Sequence, residues 1–454
     1  MHLAERYASL LVPEIRETAL LSAPRQLGEL ELQAHWFAGD FGRQFRTTTG
    51  ESVKLVQFGV WNREAGPDFA DAAISINDGA ALRGPIEFDI DVRDWERHGH
   101  STNPDYEPVI LHVFTQKGTS DFFTRTVAHR NVPQVLLDPA RLEGFDIPNP
   151  LPEAKLGRCS GPLSALPESK VTDILFAAAQ YRMRRKAAAL IRLRELHGTD
   201  EALFHGLATT LGYKSNKLPF TLLAQRLPLR FLFKAKDEIE ALLFGVSGFL
   251  PAKDFQTFDE STRSYLRTLW EKWWTRRSEF SRLVLDSEMW RMSGQRPANH
   301  PQRRLAALAQ IVRHWSRIRA LCENPDPREI QDFFAKLSDP YWDFHYTLSS
   351  KAASRRMALV GESRVLEMLV NVFLPLAVVE NEKHWDVYRS LKAPLTNRRV
   401  ETAATRLFGA SAQRQELLAN AAIQQGLLQI YEDFCLQDAS DCAHCRFPRQ
   451  LASW

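Results

Sequence analysis

The fold is decided by Gly66-Pro67-Asp68-Phe69 and by Gly84-Pro85-Ile86-Glu87-Phe88-Asp89-Ile90-Asp91. Between these stretches lie a short alternating apolar segment, residues 72–76, and Asn77-Asp78-Gly79, which is typical of a hairpin turn. The two stretches are therefore predicted to lie on paired strands, so that Asp68 and Glu87 converge on one end of a small sheet. Converging carboxylates bind a hard divalent cation through oxygen.

Residues 86–92 alternate apolar and acidic side chains, which places Glu87, Asp89 and Asp91 on one face of a strand. Three like charges on one face destabilise a strand unless a cation or a basic partner neutralises them. One interpretation is a solvated edge face that pairs with the nearby basic residues Arg93, Arg97 and Lys54. The other is a metal site, which the position of Asp68 on the same hairpin favours.

His98 and His100 flank a glycine just after this strand, within reach of the same end of the sheet. They are candidate metal ligands, general bases or phosphate donors, and the alternative is a solvated turn with two ordinary histidines. We expect His112 to face inward and to form hydrogen bonds within the core. Glu31 and Gln33, on a helix predicted to pack across the sheet, are further candidates for the site.

Length and composition limit the class of protein. A chain of 454 residues is too long for one ordinary core, so we expect two or three domains. The formal net charge of +3 gives no global argument for nucleic-acid binding. Because no apolar run reaches membrane-spanning length, the N-terminus lacks a leader pattern and the five cysteines are unevenly placed, we expect a cytoplasmic protein without a membrane partner.

The hydrophobic period changes along the chain. Residues 25–45 open with a helical pattern, and from residue 52 to about residue 130 the period is two, with strands predicted at 53–58, 72–76, 86–92 and 109–114 and a fifth at 132–137. We therefore predict an α/β (or α+β) domain with a small mixed sheet over residues 1–143, and a Pro- and Gly-rich linker over 144–166. Residues 167–454 are predicted to form a large all-α domain, with helices at 168–195, 200–212, 219–227, 236–245, 260–285, 301–322, 327–337, 362–381, 397–409 and 412–434.

The acid pair on this sheet resembles the PD-(D/E)XK nuclease superfamily, which implies a restriction-endonuclease-like N-terminal domain. The resemblance implies that Asp68 and Glu87 hold Mg²⁺ or Mn²⁺ for hydrolysis of a phosphodiester. From their position beside these acids, Asp89, His98 and His100 are further candidate catalytic residues. In that superfamily a lysine stands two residues after the second acid, and here Asp89 holds that place. Either Lys54, His98 or His100 substitutes for the lysine, or the site binds metal without cleaving.

A second resemblance covers nearly the whole chain. The motifs that carry it are Glu31-Leu32-Gln33-Ala34-His35-Trp36, Ala65-Gly66-Pro67-Asp68-Phe69, Asp94-Trp95 with His98-Gly99-His100, Asn216 with Pro219-Phe220, and Arg296-Pro297-Ala298-Asn299-His300-Pro301 with Arg303. They are similar to a bacterial family of unknown function, domain-of-unknown-function family 2851. That family implies no activity, so the nuclease hypothesis depends on the acids and on superfamily likeness.

Three thiols near the C-terminus, Cys435, Cys442 and Cys445, are typical of a metal knuckle. Cys159 in the linker is the best fourth ligand, and His444 is the next. We expect zinc, with an iron–sulfur cluster as the less simple choice and reduced thiols as the alternative to any metal. The role of this site would be structural, and Cys322 is predicted to be a core residue.

The helical region carries basic and aromatic clusters. The arginines and lysines at 182–194 and at 303–319 are candidate phosphate contacts, although a run of charges is usually a solvated face. Trp270, Trp273 and Trp274 could stack on bases, but at helical spacing they are expected in a core.

Three hypotheses on function follow. The first is a metal-dependent nuclease that acts on DNA or RNA, with the helical domain assisting nucleic-acid binding. The second is an inactive binding or scaffold protein on the same fold, and the third is a metal-dependent hydrolase of a substrate other than nucleic acid. The oligomeric state does not follow from the sequence.

Overall fold

The computed structural model describes residues 3–11, 27–62, 66–118, 122–142, 161–164, 166–213, 215–250, 258–293, 297–394, 398–409, 414–436, 445–451 and 454. Its strands are β1 (Gln44–Arg46), β2 (Ser52–Gln57), β3 (Val60–Trp61), β4 (Phe69–Ile76), β5 (Leu82–Asp91), β6 (Leu111–Gln116) and β7 (Gln134–Leu136). Its first helices are α1 (Leu3–Ala8), α2 (Glu29–Phe37) and α3 (Asp94–Arg97), and short 3₁₀ turns cover His100–Thr102 and Pro104–Tyr106.

The helical region begins with α4 (Glu168–His197), α5 (Thr199–Leu211), α6 (Lys217–Arg226), α7 (Leu229–Ala235), α8 (Ile239–Val246) and α9 (Glu260–Phe280). It continues with α10 (Pro301–Arg313), α11 (Trp315–Glu323), α12 (Pro327–Lys336), α13 (Glu362–Met368), α14 (Leu374–Glu380) and α15 (His384–Ser390). The last helices are α16 (Arg398–Phe408), α17 (Arg414–Leu418), α18 (Ala421–Ile430) and α19 (Phe447–Leu451).

One mixed sheet holds all seven described strands in the order β1-β2-β4-β5-β6-β7, with β3 paired to β4. The pairs β1–β2, β2–β4 and β4–β5 are antiparallel, whereas β5–β6 and β6–β7 are parallel. All five strands predicted from the period of two are present, so this part of the prediction is confirmed. The strands β1 and β3 are too short, at three and two residues, to give a periodic signal.

The predicted hairpin turn joins β4 to β5. Asn77 and Asp78 both have positive φ, at 49° and 56°, which is the backbone of a type I′ turn. Asn77 also accepts a hydrogen bond from the Ser52 amide through Oδ1, at 2.9 Å. Because Asn and Asp tolerate the left-handed region better than other side chains, the sequence itself selects this turn.

The acidic strand is central in the sheet. β5 lies between β4 and β6, and Glu87 and Asp89 are only 5% and 2% exposed. Arg97 pairs with Asp94, at 2.8 Å, rather than with these acids. The interpretation of 86–92 as a solvated edge face is therefore wrong, because both edges of the strand are covered by neighbouring strands.

The predicted helices after residue 167 are present, but three of them are divided. The helix predicted over 362–381 consists of α13 and α14 with the π-helical residues Leu369–Phe373 between them. The helix predicted over 301–322 ends at Arg313 and restarts at Trp315, where the His314 ring nitrogen Nδ1 lies 2.9 Å from the Gln310 carbonyl. The helix predicted over 412–434 is divided between α17 and α18, with Asn420 as the N-cap of α18. Polar side chains that bond the backbone compete with helix continuation at His314 and Asn420.

Three hydrophobic clusters lie among the described residues; the two largest join elements across the fold, and the third contains Trp95 and Tyr106. The larger one includes sheet residues such as Phe69 and Phe88 together with helical residues such as Phe204 and Phe244, so the sheet and the helices share one core. The second cluster joins α1, α4, α16 and α18, and Tyr7 is fully buried in it. No described helix has the length and apolarity needed to cross a bilayer.

The cysteines fall partly within these clusters. Cys435 and Cys445 pack against the second cluster, and so does Leu163, from the short described part of the predicted linker. Cys159, Cys442 and His444 lie outside the described residues, so the metal knuckle stays a prediction. Cys322 packs against the larger cluster, as expected of a core residue, and burial raises the pKa of its thiol to about 12.

Candidate metal centre

Asp68 and Glu87 contact each other across the antiparallel pair of β4 and β5. The Asp68 amide donates to Glu87 Oε2 at 3.0 Å, and the Phe88 amide donates to Asp68 Oδ2 at 3.2 Å. The Asp68 side chain also accepts from Gln33 Nε2 at 3.0 Å. These bonds hold both carboxyl groups at one end of the sheet, as predicted from the sequence.

Three further side chains gather beside this pair. One ligand atom from each of Asp89, His98 and His100 lies within 4.8 Å of the other two, a spacing that can hold a metal ion. His98 Nδ1 is 3.3 Å from Asp89 Oδ1, and His100 Nε2 is 3.1 Å from Glu87 Oε1. Asp89 and His100 are buried while His98 is half exposed, so the group opens to solvent on the His98 side.

Aromatic rings hold His100 in its orientation. Its imidazole stacks on Tyr106, with ring centroids 3.9 Å apart and an interplanar angle of 18°, and meets Trp95 edge-on at 5.5 Å. The buried Nε2 atom makes no hydrogen bond with good geometry among the described residues. A buried ring nitrogen that faces carboxylates without such a bond is available as a ligand atom.

His112 supports the cluster from within the sheet. Its Nε2 lies 3.1 Å from Asp89 Oδ2 and its Nδ1 lies 2.6 Å from Thr124 Oγ1, while Gln134 Nε2 donates to that hydroxyl at 2.8 Å. An ionised Asp89 can only accept, so His112 donates through Nε2 and accepts the Thr124 proton at Nδ1. The prediction that His112 forms hydrogen bonds in the core is confirmed.

Helix α2 contributes Glu29 and Gln33 rather than Glu31. Gln33 Nε2 donates to Glu29 Oε1 at 3.0 Å as well as to Asp68, whereas Glu31 accepts from the Gly28 amide at the start of the helix, at 3.0 Å. Gln33 thus lies at the acid pair, whereas Glu31 caps the first turn of its own helix, and a role of either residue in the site stays a prediction.

The carboxyl groups of the site have unusual acidities. Burial, and then the charges of Glu87 and Glu29, raise the pKa of Asp68 well above its usual range. Burial, and then the charge of Asp89, raise the pKa of Glu87 in the same way and also that of Glu29. Acids crowded together in a buried place hold protons until a cation replaces them, so the cluster is electrostatically suited to a divalent ion.

Two arginines of the helical region lie near these acids. Arg282, just after α9, donates to the Gly66 carbonyl at 3.4 Å, and its charge acts on Glu87. Arg226, at the end of α6, is buried and its charge interacts with that of Asp68. Lys54, the lysine suggested as a substitute for the superfamily residue, is exposed on β2, and β4 separates it from the acidic strand.

Sequence reasoning did not assign Glu29, Tyr106, Arg226 or Arg282 to this site. The spacing of Glu29 and Gln33, four residues apart on one helix face, was an available signal. Arg282 lies more than 190 residues beyond the end of β5, and no local sequence pattern predicts its contact with Gly66.

The basic runs are largely engaged within the protein. Arg182 pairs with Glu432, Arg192 with Asp40, Arg194 with Glu380 and Arg317 with Glu329. The tryptophans of α9 divide by face: Trp273 is 4% exposed and belongs to the core, whereas Trp274 is 50% exposed. Trp274 stacks on Trp270, with ring centroids 4.8 Å apart, and the Arg277 guanidinium lies 4.8 Å from the Trp274 ring centroid.

Comparison with known proteins gives one family. The model of the family described as "Protein of unknown function (DUF2851)" matches residues 29–395. No curated protein and no solved structure matches the chain.

Proposed function

Because the chain belongs to the family of proteins of unknown function DUF2851, we propose its function from the site itself: a metal-dependent nuclease that hydrolyses phosphodiester bonds. The observation that carries the proposal is the group of Asp89, His98 and His100, with ligand atoms within 4.8 Å of one another, beside the buried pair of Asp68 and Glu87. Acids on two adjacent strands that follow a helix also agree with a PD-(D/E)XK-like fold, on which the nuclease hypothesis depends.

The donor set favours Mn²⁺ over Mg²⁺. Mg²⁺ prefers oxygen ligands alone, whereas two imidazole nitrogens with a carboxylate suit a softer ion of the first transition row. Asp89, His98 and His100 would hold the ion, and Glu87 and Asp68 would stand beside it as neighbouring acids. A bound ion of this kind lowers the pKa of a coordinated water and stabilises charge on phosphate.

The other residues of the site have separate roles in this proposal. His112 fixes the orientation of Asp89 through its hydrogen bond to Oδ2. Arg282, exposed at the edge of the acids, would bind a phosphate oxygen of the substrate.

A surface of α9 favours nucleic acid as the substrate. Trp270, Trp274 and Arg277 form a stack on the outer face of this helix, and the same helix leads directly to Arg282 at the acids. Aromatic and guanidinium planes bind unpaired bases with little sequence preference. A hydrolase of another substrate class would share the metal ligands but would not need exposed stacked rings to bind its substrate.

Cleavage assays test the proposal. Wild-type protein is incubated with mixed single- and double-stranded DNA and RNA in Mn²⁺, Mg²⁺ or EDTA, and is compared with Asp89→Asn, His100→Gln and Glu87→Gln. Asp71→Asn is the matched control, because Asp71 is an exposed acid on the same sheet with a φ of 56° that asparagine tolerates. We expect Mn²⁺-dependent cleavage that the site variants lose and the control keeps.

Two results separate the competing functions. Mn²⁺ binding by calorimetry without cleavage of any nucleic acid would leave the hydrolase of another substrate class. Folded wild-type protein that binds neither Mn²⁺ nor Mg²⁺ would overturn the proposal in favour of an inactive scaffold on this fold.

A further inference from the structure

Three buried arginines lie together at the start of α10 and on α13, far along the chain from the metal centre. Arg303, Arg304 and Arg364 are 0%, 4% and 4% exposed. One of them, Arg303, belongs to the motif that contains Asn299-His300-Pro301, and Arg304 follows it directly. The three differ in how many of their N–H groups form hydrogen bonds within the protein.

Arg303 is a structural residue. Its Nη1 donates to the carbonyls of Trp342 and His345, and its Nη2 donates to those of Met357 and Ala358, both at 2.9 Å. These four bonds tie residues 342–358, which contain no regular helix, to the first turn of α10. The Nε of Arg303 is buried without a hydrogen-bond partner in the described part of the chain, but both of its terminal nitrogens are satisfied by backbone carbonyls.

Arg304 is not satisfied in this way. Its Nη2 donates to Asn299 Oδ1, but its Nε and Nη1 are buried and have no hydrogen-bond partner in the described part of the chain. The Nε of Arg364 is in the same condition, although its Nη1 contacts Glu367 and the Thr210 carbonyl. Buried N–H groups of a charged side chain are costly when they bond neither protein nor ligand.

The local charges do not balance either. Burial, and then the charges of the nearby Arg364 and Arg303, lower the pKa of the Arg304 guanidinium to about 9. Glu367 is the acid whose charge acts on both Arg304 and Arg364. Arg364 already binds this carboxylate, and the charge of Lys186 also acts on it. Two buried cations thus face one acid, and the surplus is positive.

The start of α10 adds to this surplus. His300 is the N-cap of this 13-residue helix, and its ring atom Nδ1 is also buried without a partner among the described residues. The N-terminal end of a helix carries partial positive charge and free amide groups, which favour an anion. Asn299 and His300 are only partly buried, so the cluster reaches the surface on their side.

We propose that Arg304, Arg364 and His300 form an anion-binding site for a phosphate group. The unpartnered atoms, Arg304 Nε and Nη1, Arg364 Nε and His300 Nδ1, come from three side chains and could meet several oxygens of one tetrahedral anion. A guanidinium binds phosphate oxygens through charge-assisted N–H donors, and Arg304 has two such donors available, Nε and Nη1, on different edges of the group. The site is separate from the metal centre and does not depend on the proposed nuclease activity.

Calorimetry with inorganic phosphate tests this site on the full chain at constant ionic strength in chloride, with EDTA present to keep metal out. We expect saturable binding to wild type and binding weaker by tenfold or more in Arg304→Met. Arg317→Met is the matched control, because Arg317 is a half-exposed arginine on the next helix that pairs with Glu329 at the surface, and it should bind phosphate like wild type.

If Arg304→Met does not fold, Arg304→Lys decides, since lysine keeps the charge and the stem but has no fork of N–H groups. Acetate in the same titration distinguishes a phosphate site from a general carboxylate site, and we expect it to bind more weakly. Absence of saturable phosphate binding to wild type, equal binding in a folded Arg304 variant, or tighter binding of acetate would each overturn the proposal.

Discussion

His112 Nε2 lies 3.1 Å from Asp89 Oδ2, inside a sheet where His112 is wholly buried and Asp89 is 2% exposed. The two residues are on parallel neighbouring strands, and His112 is itself bonded to Thr124. This contact leaves the other oxygen of Asp89, Oδ1, directed at His98, whose Nδ1 is 3.3 Å away. A candidate ligand is thus oriented by a side chain that cannot reach solvent.

We expect His112→Leu to weaken Mn²⁺ binding by about 10- to 100-fold, the usual effect of losing a bond that orients a metal ligand. His112→Gln should retain part of the affinity, because its amide can still donate to Asp89. Calorimetric titration with Mn²⁺ measures the affinity, and thermal unfolding without metal checks that both variants fold. Equal affinity in wild type and a folded His112→Leu would contradict the orienting role.

Trp274→Ala is expected to weaken the binding of single-stranded DNA or RNA by about fivefold or more, since a stacked base contributes about 1–3 kcal/mol. Fluorescence anisotropy in EDTA measures this binding without cleavage. Phe233→Ala is the control, because Phe233 is similarly exposed, at 44%, but lies on α7. An unchanged affinity in Trp274→Ala would show that this face of α9 does not bind the nucleic acid.

Stability should fall in acid because of His205. Burial lowers the pKa of its imidazole to about 3, while in the unfolded chain the value is about 6.5. The unfolded state therefore takes up a proton first, so stability decreases as the pH falls from about 6.5 towards 3, by about 2 kcal/mol at pH 5. His205→Phe keeps an aromatic ring next to Phe37 and should flatten this part of the pH dependence.

Urea unfolding of wild type and His205→Phe between pH 7 and pH 4.5 measures the difference between the two proteins. Taking the difference cancels the contributions of the other titrating groups. Parallel curves for the two proteins would show that the pKa of His205 is the same in the folded and unfolded states, contrary to its burial.

Gly426→Ala should destabilise the protein by about 1–3 kcal/mol, because an added Cβ would lie 2.1 Å from the Leu175 carbonyl oxygen where α18 crosses α4. Neither backbone can move without opening the second hydrophobic cluster. Gly361→Ala is the control, since a Cβ there meets nothing within 4 Å, and it should cost less than about 1 kcal/mol. Equal losses in the two variants, measured by denaturant unfolding, would contradict the close crossing.

The cysteine knuckle predicts one zinc ion per chain by elemental mass spectrometry. Cys435→Ser and Cys445→Ser should lose the metal and unfold at lower temperature, because zinc binding is coupled to folding. Cys322→Ser should retain it, as Cys322 packs in the larger core. Metal-free wild type, or iron with sulfide in place of zinc, would refute the zinc assignment.

Local features of this protein follow from its sequence alone. The turn at Asn77 and Asp78 depends only on which side chains tolerate positive φ, and the strands and helices follow from periods of two and of 3.6. The gathering of Asp68, Glu87, Asp89, His98 and His100 was also predictable, because alternation and a hairpin bring neighbouring segments to one sheet end. Helix breaks at His314 and Asn420 were not, since they depend on hydrogen bonds that compete with a pattern that is otherwise continuous.

Only the tertiary structure decided which of these acids are buried and what surrounds them. Parallel pairing of β5 with β6 covers the acidic strand and brings His112 to Asp89, and the end of α9 brings Arg282 to Gly66. The burial of Arg304 and Arg364 was also decided by the tertiary structure. In the sequence they belong to ordinary charged helices, whereas in the fold both are buried and the charge of one acts on the other. Such contacts join residues far apart in the chain, and their energies depend on burial, which no local pattern of residues contains.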